Sequence, residues 1–339
     1  MFIQFIFLIL LALALIYFQS KFFFLIDQPT KQKHKLDYNK NTPLSGGIYF
    51  FLAFSINLIL EKNYNQNFLI ILFLVLFLIL GIYSDLKINF SPKIRLLFQS
   101  IIILFLIFFL ELKINKTGIF FLDPFINNYI FNTIFTFSCI IVLLNGSNFC
   151  DGVNVNLVGY YLFLVLAILL SSLTIPNVLF NIEKMFLIIL VFYIFNVFGK
   201  FFLGDNGVYV ITIFISIFII NLINYNNNIS PLLALNLLWY PAFENLFSIL
   251  RRYIHKTKVE IADRSHLHIL IFEKLSSKFN IKFSNSLSGI ILNIYMFAGF
   301  LVSLKYFNES KVLILIFLIN IMIYMIVYFY LFLNHPKLK

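Results

Sequence analysis

Acidic and histidine side chains are scarce in this chain, 14 Asp and Glu and five His among 339 residues, and eight of these 19 lie in four short polar stretches. The first reads GIYSDLKINFSPKIRLLFQ and places Asp85, Lys93 and Arg95 close together. A carboxylate there can hold a cation or take a proton, and the two cations can hold phosphate oxygens. The second, NGSNFCDGVNVNLVG, packs Asn145, Asn148, Asp151, Asn154 and Asn156 between two apolar runs. Polar side chains at membrane depth cost several kcal/mol unless partnered, so this density implies a hydrated cavity or a bound ligand. Positions 145, 148, 151 and 154 recur every three residues and would form one stripe if helical. The third, KFFLGDNGVYV, carries Asp205 between Gly204 and Gly207. The fourth, RRYIHKTKVEIADRSHLHIL, carries Arg251, Arg252, His255, Asp263, Arg264, His266 and His268.

Each stretch has an ordinary reading beside the chemical one. Asp85 with two cations fits a basic loop with one incidental acid. Asp205 fits a helix cap. The asparagine stretch fits a polar capping loop, and the histidine stretch a basic loop facing anionic lipid. A His-x-His pair also suggests a metal site, but zinc wants four Cys, His or carboxylate ligands, and the local partners are cations. The combination points elsewhere. Hard oxygen ligands for Mg²⁺ or Mn²⁺ and cations for phosphate together make the kit for phosphoryl-group chemistry. In such reactions a metal bridges phosphate oxygens while Arg, Lys or His stabilises developing charge and the protein positions an acceptor in line.

The elements that must position these residues follow from composition. At 61% hydrophobic, 19% aromatic, 12% charged and a mean hydropathy of +0.96, the chain is too apolar to be water-soluble. Its 46 Phe exclude a disordered chain as well. Cys139 and Cys150 cannot make a disulfide framework. The +11 charge does not indicate nucleic acid, because the basic residues are scattered between apolar runs. A helix needs about 20 apolar residues to cross the hydrocarbon core. Counted so, the chain is an all-α integral membrane bundle of about eleven helices (ten to eleven), over 2–26, 43–60, 68–84, 95–111, 128–147, 157–175, 184–200, 207–223, 231–250, 284–304 and 312–333. The first run lacks the basic flank and cleavage site of a signal peptide and is expected to stay as a membrane helix. With eleven spans, 19 of the 25 Lys and Arg fall on one side. The positive-inside bias makes that side cytoplasmic, with the N-terminus outside and the C-terminus inside. All four polar stretches then lie on the cytoplasmic face, the last in the largest loop, 251–283. No repeat or linker divides residues 1–339, so a single membrane domain is expected. A site at the membrane surface points to a lipid as one substrate.

With these motifs in order, the chain resembles the polyprenyl-phosphate N-acetylhexosaminyl-1-phosphate transferases (glycosyltransferase family 4) over nearly its full length. The resemblance rests on R-L-L-x-Q (Arg95 to Gln99), N-x-x-N-x-x-D-G-x-N (Asn145 to Asn154) and F-x-G-D-x-G (Phe202 to Gly207). P-x-x-E (Pro241 to Glu244) and D-R-x-H-x-H (Asp263 to His268) close the series. The last is more similar to the undecaprenyl-phosphate GlcNAc-1-phosphate branch than to the peptidoglycan branch, whose loop has three consecutive histidines. The resemblance implies a Mg²⁺-dependent transfer (Mn²⁺ as substitute) of a sugar 1-phosphate from a UDP-HexNAc to undecaprenyl phosphate, with release of UMP. That reaction initiates a bacterial cell-envelope glycan at the cytoplasmic face of the inner membrane. By the same resemblance Asp205 is the principal metal ligand, helped by Asn148. Asp85, Asp151, Asp205 and His266 are the catalytic set, with Asp151 in the nucleotide cleft. Lys93, Arg95, Asn145, Asn148, Asn154, Arg264 and His268 bind substrate, Asn154 near the uracil and Arg264, His266 and His268 on the diphosphate or sugar phosphate.

One departure stands out: the family carries two adjacent Asp where this chain has Ser84-Asp85, and the spacing to Arg95 is about one residue longer. A lipid phosphate with a second pKa of about 6 is already mostly dianionic at pH 7 and hardly needs a base. An inactive relative and a transporter are the alternatives. A pathway would place polar residues at midspan and on both sides, whereas here they sit at helix ends. The sequence distinguishes neither the sugar nor the glycan. A homodimer is compatible with the bundle, although no small-residue stripe marks its interface.

Overall fold

The computed structural model describes residues 2–22, 24–27, 42–61, 64–86, 91–173, 181–256 and 265–334. Its long helices are α1 (Phe2–Phe22), α2 (Gly46–Ile59), α3 (Tyr64–Leu86), α4 (Pro92–Phe109), α6 (Tyr129–Cys150), α7 (Asn156–Leu170), α8 (Ile182–Val197), α9 (Gly204–Tyr225), α10 (Leu232–His255), α12 (Ile281–Lys305) and α13 (Ser310–Leu333). Two short helices, α5 (Asp123–Ile126) and α11 (Leu267–Ser276), interrupt the connections. Each of the eleven apolar runs read from the sequence falls on one of the long helices. Seven of these, α1, α3, α4, α6, α9, α12 and α13, are long and apolar enough to cross a membrane, and α2 and α7 are shorter apolar helices. The chain is thus an all-α membrane protein. In lipid, a helix satisfies its own backbone groups, which is why apolarity this extreme folds as helices. The outer helices show it directly: α13 exposes Leu315, Leu318, Met322 and Ile326, as a face turned to hydrocarbon does.

Helices enter the 251–283 stretch at both ends of its described residues, 251–256 and 265–283. α10 runs on through Arg251 and Arg252 to His255, and α11 follows with Leu267, His268, Leu270 and Phe272 buried. The three-residue stripe breaks. α6 ends at Cys150, Asp151 is its C-cap, and α7 starts only at Asn156, so Asn145 and Asn148 are helical while Asp151 and Asn154 are not.

α9 is the axis of the bundle, buried along nearly its whole length, with α2, α3 and α6 packed on it. Its start is pinned. A two-residue antiparallel ladder joins β1 (Ile26–Asp27) to β2 (Thr42–Pro43), and Phe202 donates its backbone N–H to Pro43 while accepting from Gly46. The chain ahead of α9 is therefore tied to the chain ahead of α2. α10 carries Pro241 in its interior, which deprives the Leu237 carbonyl of its helical donor. The Tyr160 hydroxyl supplies the missing bond at 2.7 Å.

Candidate functional site

Asp205 sits in the first turn of α9, beyond Gly204, whose φ of +67° is readily available only to glycine. A side chain at Gly204 would also come within 2.8 Å of Asp85 Oδ2. This tight start brings Asp205 under three donors from three helices. Ser84 of α3 donates its hydroxyl to Oδ2 at 2.5 Å, Arg95 of α4 donates Nη1 to the same oxygen at 3.0 Å, and Asn148 of α6 donates Nδ2 to Oδ1 at 2.8 Å. The Asp205 and Arg95 side chains remain about a quarter exposed, at 25% and 24%, so the centre is reachable from outside.

Asp85 belongs to the same cluster but faces the start of the helix. Its Oδ1 accepts the backbone N–H of Asp205 at 3.0 Å, and its Oδ2 accepts the backbone N–H of Asn206 at 3.1 Å and the Asn206 amide at 2.5 Å. A carboxylate on the first N–H groups of a helix satisfies donors that lack an intrahelical partner and complements the helix dipole. Asn206, fully buried, also accepts from the Gly47 N–H at 2.6 Å and donates to the Leu44 carbonyl at 2.8 Å. Asp85 and Asn206 thus lock α9 to α2 and α3 and aim Asp205.

The asparagine stretch forms a second unit beyond the C-terminal end of α6. Asn154 donates its backbone N–H to Asn285 at 2.7 Å and its amide to Ser286 at 3.3 Å, both in α12. Val155 has φ +57°, an outlier for a β-branched residue that costs on the order of 1–3 kcal/mol. It is over-determined by its surroundings: Asn196 accepts its N–H at 2.6 Å and Asn293 donates to its carbonyl at 2.8 Å. Asn145 bonds back to the Ile141 carbonyl within α6. Lys93 is exposed in the first turn of α4.

The histidines form a third unit. His266 is the N-cap residue of α11, with an extended backbone that turns its ring inward. Its Nδ1 lies 2.8 Å from Glu244 Oε1, and Glu244, completely buried in α10, also accepts the Tyr324 hydroxyl of α13 at 2.7 Å. The His266 ring packs against Phe149 and His268, at centroid distances of 5.2 and 5.6 Å. His268 is fully buried; a methyl at Gly152 would collide with its Nε2, which has no partner among the described residues. Burial pushes the His268 imidazole down to about 3, with the neighbouring His266 acting in the same direction. His268 is therefore neutral and enclosed. Arg264 and Asp263 lie outside the described residues, as does the side chain of His255.

The structure thus brings Asp85, Arg95, Asn148 and Asp205 into one centre, and sets His266 and His268 beside the end of α6, next door to Asn148 through Phe149. Asn154 belongs to the α8–α12 contact. Ser84, Asn206, Glu244 and Tyr324 complete these units and were not in the expected set. Ser84 and Glu244 did leave a signal: Ser84 breaks an otherwise matching motif, and a lone Glu inside an apolar helix must find a partner. Tyr209, one turn beyond Asp205 on the same side of α9, is also buried.

Among the described residues no group of three or more His, Cys, Asp or Glu could hold a metal ion. The oxygens around Asp205 suit an ion held by one or two protein groups and completed by water and substrate phosphates, which is how Mg²⁺ is usually bound. Such a centre can place a phosphate against a cation and a carboxylate at once. Residues 67–223 match glycosyl transferase family 4, a stretch from α3 to the end of α9 that contains the whole Asp205 centre. The match supports a polyprenyl-phosphate sugar-phosphate transferase in general. No curated protein matches the chain.

Proposed function

We propose that the protein transfers a HexNAc 1-phosphate from a UDP-sugar to undecaprenyl phosphate and releases UMP, as the initiating step of a bacterial cell-envelope glycan. One observation carries the reading: Asp205, Asn148, Arg95 and Asp85, drawn from four helices, converge within the family-matched stretch. In the proposed orientation this centre faces the cytoplasm of the inner membrane, where the UDP-sugar is available.

The reaction forms a bond from a lipid-phosphate oxygen to the β-phosphorus of the UDP-sugar and breaks the β-phosphorus–bridging oxygen bond, so that UMP leaves with that oxygen. No proton need be removed from the dianionic lipid phosphate. Asp205, with Asn148 through its carbonyl oxygen, would hold Mg²⁺, which on binding neutralises phosphate charge and polarises the reacting phosphorus. Arg95, already beside Asp205, presents a planar fork to phosphate oxygens, and exposed Lys93 adds a second positive charge at the entrance. Asp85 fixes the direction of Asp205 by holding the first amides of α9. Asp151, at the C-cap of α6, and Asn154 border the proposed nucleotide side, while Arg264, His266 and His268 belong to the diphosphate side. His268 is enclosed against Gly152 and supports this side from within. Ser84 supplies a hydroxyl where the family has a carboxylate. It lowers the negative charge at the centre and donates to Asp205, so the lipid phosphate meets less repulsion.

Purified protein in detergent, with undecaprenyl phosphate, Mg²⁺ and a panel of UDP-HexNAc donors, tests the reading by UMP release. Release that requires the lipid supports it, and the best donor names the sugar. The second reading, a relative that binds polyprenyl phosphate without turnover, is favoured only by Ser84. Silence from the parent with activity in Ser84→Asp would establish it.

A further inference from the structure

Glu244 is a completely buried carboxyl group that the reaction above does not use. An isolated carboxylate in a helix interior is strongly disfavoured, and Glu244 is relieved by two bonds, one to His266 and one to Tyr324. Its immediate neighbours are unusually consequential. His266 lies in contact with Phe149, and Phe149 follows Asn148, the residue that grips Asp205. Consecutive residues of the last turn of α6 therefore connect the Asp205 centre to the histidine unit. The ring of His266 has only its orientation about Cβ left to choose. Phe149 and His268 both pack against the ring, and Glu244 fixes which nitrogen points to the carboxylate. With Nδ1 directed at the carboxylate, Nε2 is the atom that is presented elsewhere. A carboxylate that fixes the tautomer and orientation of an imidazole is a recurrent device, and behind metal-bound histidines its removal costs about 10–100-fold.

We infer that Glu244 is a positioning residue for the transfer, holding His266 with Nε2 directed to the diphosphate, and that Tyr324 seats that carboxylate. The inference rests on the transferase reading above. It extends the functional unit beyond residues 67–223 into α10, α11 and α13. The role is one of orientation, so it acts through His266 alone.

The test is a double-mutant cycle on lipid-dependent UMP release, with the melting temperature of each variant recorded in the same detergent. Glu244→Leu should lower the maximal rate about 30-fold with the donor KM changed less than threefold. In a His266→Asn background the same substitution should cost less than twofold. Tyr324→Phe, which leaves Glu244 and His266 in place, should cost about threefold and lose that cost when His266 is absent. It carries the test if Glu244→Leu does not fold. An active parent in which these losses are as large without His266 as with it overturns the proposal while the transferase reading stands. A parent that releases no UMP overturns the transferase reading, and the proposal with it.

Discussion

The Asp205 centre and the Glu244–His266 unit are both carboxylates surrounded by donors, yet they are built for opposite ends. Around Asp205 the partners come from α3, α4 and α6, one is a full cation, and a quarter of the side chain is open. Such a carboxylate can exchange a protein partner for a ligand with little rearrangement. Around Glu244 nothing is open, and its donors are a tyrosine and a histidine locked by aromatic packing. Replacing a partner there leaves a buried charge uncompensated, at about 3–5 kcal/mol. One site is thus made to bind and the other to hold, and they meet at two adjacent residues of α6, Asn148 and Phe149.

The sharpest break of this comparison is Asp205→Asn. It keeps the shape and removes the charge that an ion and Arg95 share, and UMP release should fall by about 10³ while the melting temperature moves by less than about 3 °C. A large loss of melting temperature with retained turnover would make Asp205 a purely structural residue. Arg95→Lys should follow, with about a tenfold loss expressed mainly in donor KM, because a point charge replaces a two-pronged donor. Ser84→Asp sharpens the contrast through the ion. Two carboxylates at hydrogen-bond distance repel unless a cation lies between them. The melting temperature of the variant should drop about 2–4 °C more than the parent's in EDTA and recover with Mg²⁺; equal behaviour of the two proteins would remove the ion from this centre.

The smallest effect concerns pH and the enclosed unit. Unfolded, the His268 imidazole takes its proton near 6.5; folded, burial delays protonation to about 3. Between those values the unfolded chain holds the extra proton, so stability falls as pH falls through that window, by up to about 1.4 kcal/mol per unit, and is unaffected above it. Thermal melts of the parent and His268→Gln between pH 7 and 5 check this: the difference between the two proteins should shrink as the pH drops, and a constant difference contradicts the burial.

Most of the fold is legible in the sequence because hydrocarbon allows one solution for an apolar run. Every one of the eleven runs falls on a helix, with ends displaced by a few residues where caps such as Asn128, Asn181 and Asn280 set the start. α11 is not legible, because ten residues with four buried positions fall below any spanning signal. The Asp205 centre is legible as a set of residue types, since polar groups stand out against so apolar a chain. Their mutual arrangement is not. Nothing in the spacing of Asp85 says that it binds the amides of Asp205 and Asn206, because that bond links positions 120 residues apart. Glu244 and His266 are invisible as a pair because the 22-residue separation between them carries no signal of their contact, and α6 stops at Cys150 because Gly152 and the left-handed Val155 turn the chain, which no three-residue periodicity reveals.

Attack of a lipid phosphate on the β-phosphorus of a nucleotide sugar at Asp205 is tested by incubation with UDP-HexNAc labelled with ³²P at the β position, undecaprenyl phosphate and Mg²⁺. The label should move into the organic, lipid-linked fraction in equal amount to the unlabelled UMP released, and Asp205→Asn should abolish the transfer. Label that remains in the aqueous phase, as intact donor or as free phosphate, or that reaches lipid equally well in the Asp205→Asn variant, would contradict it.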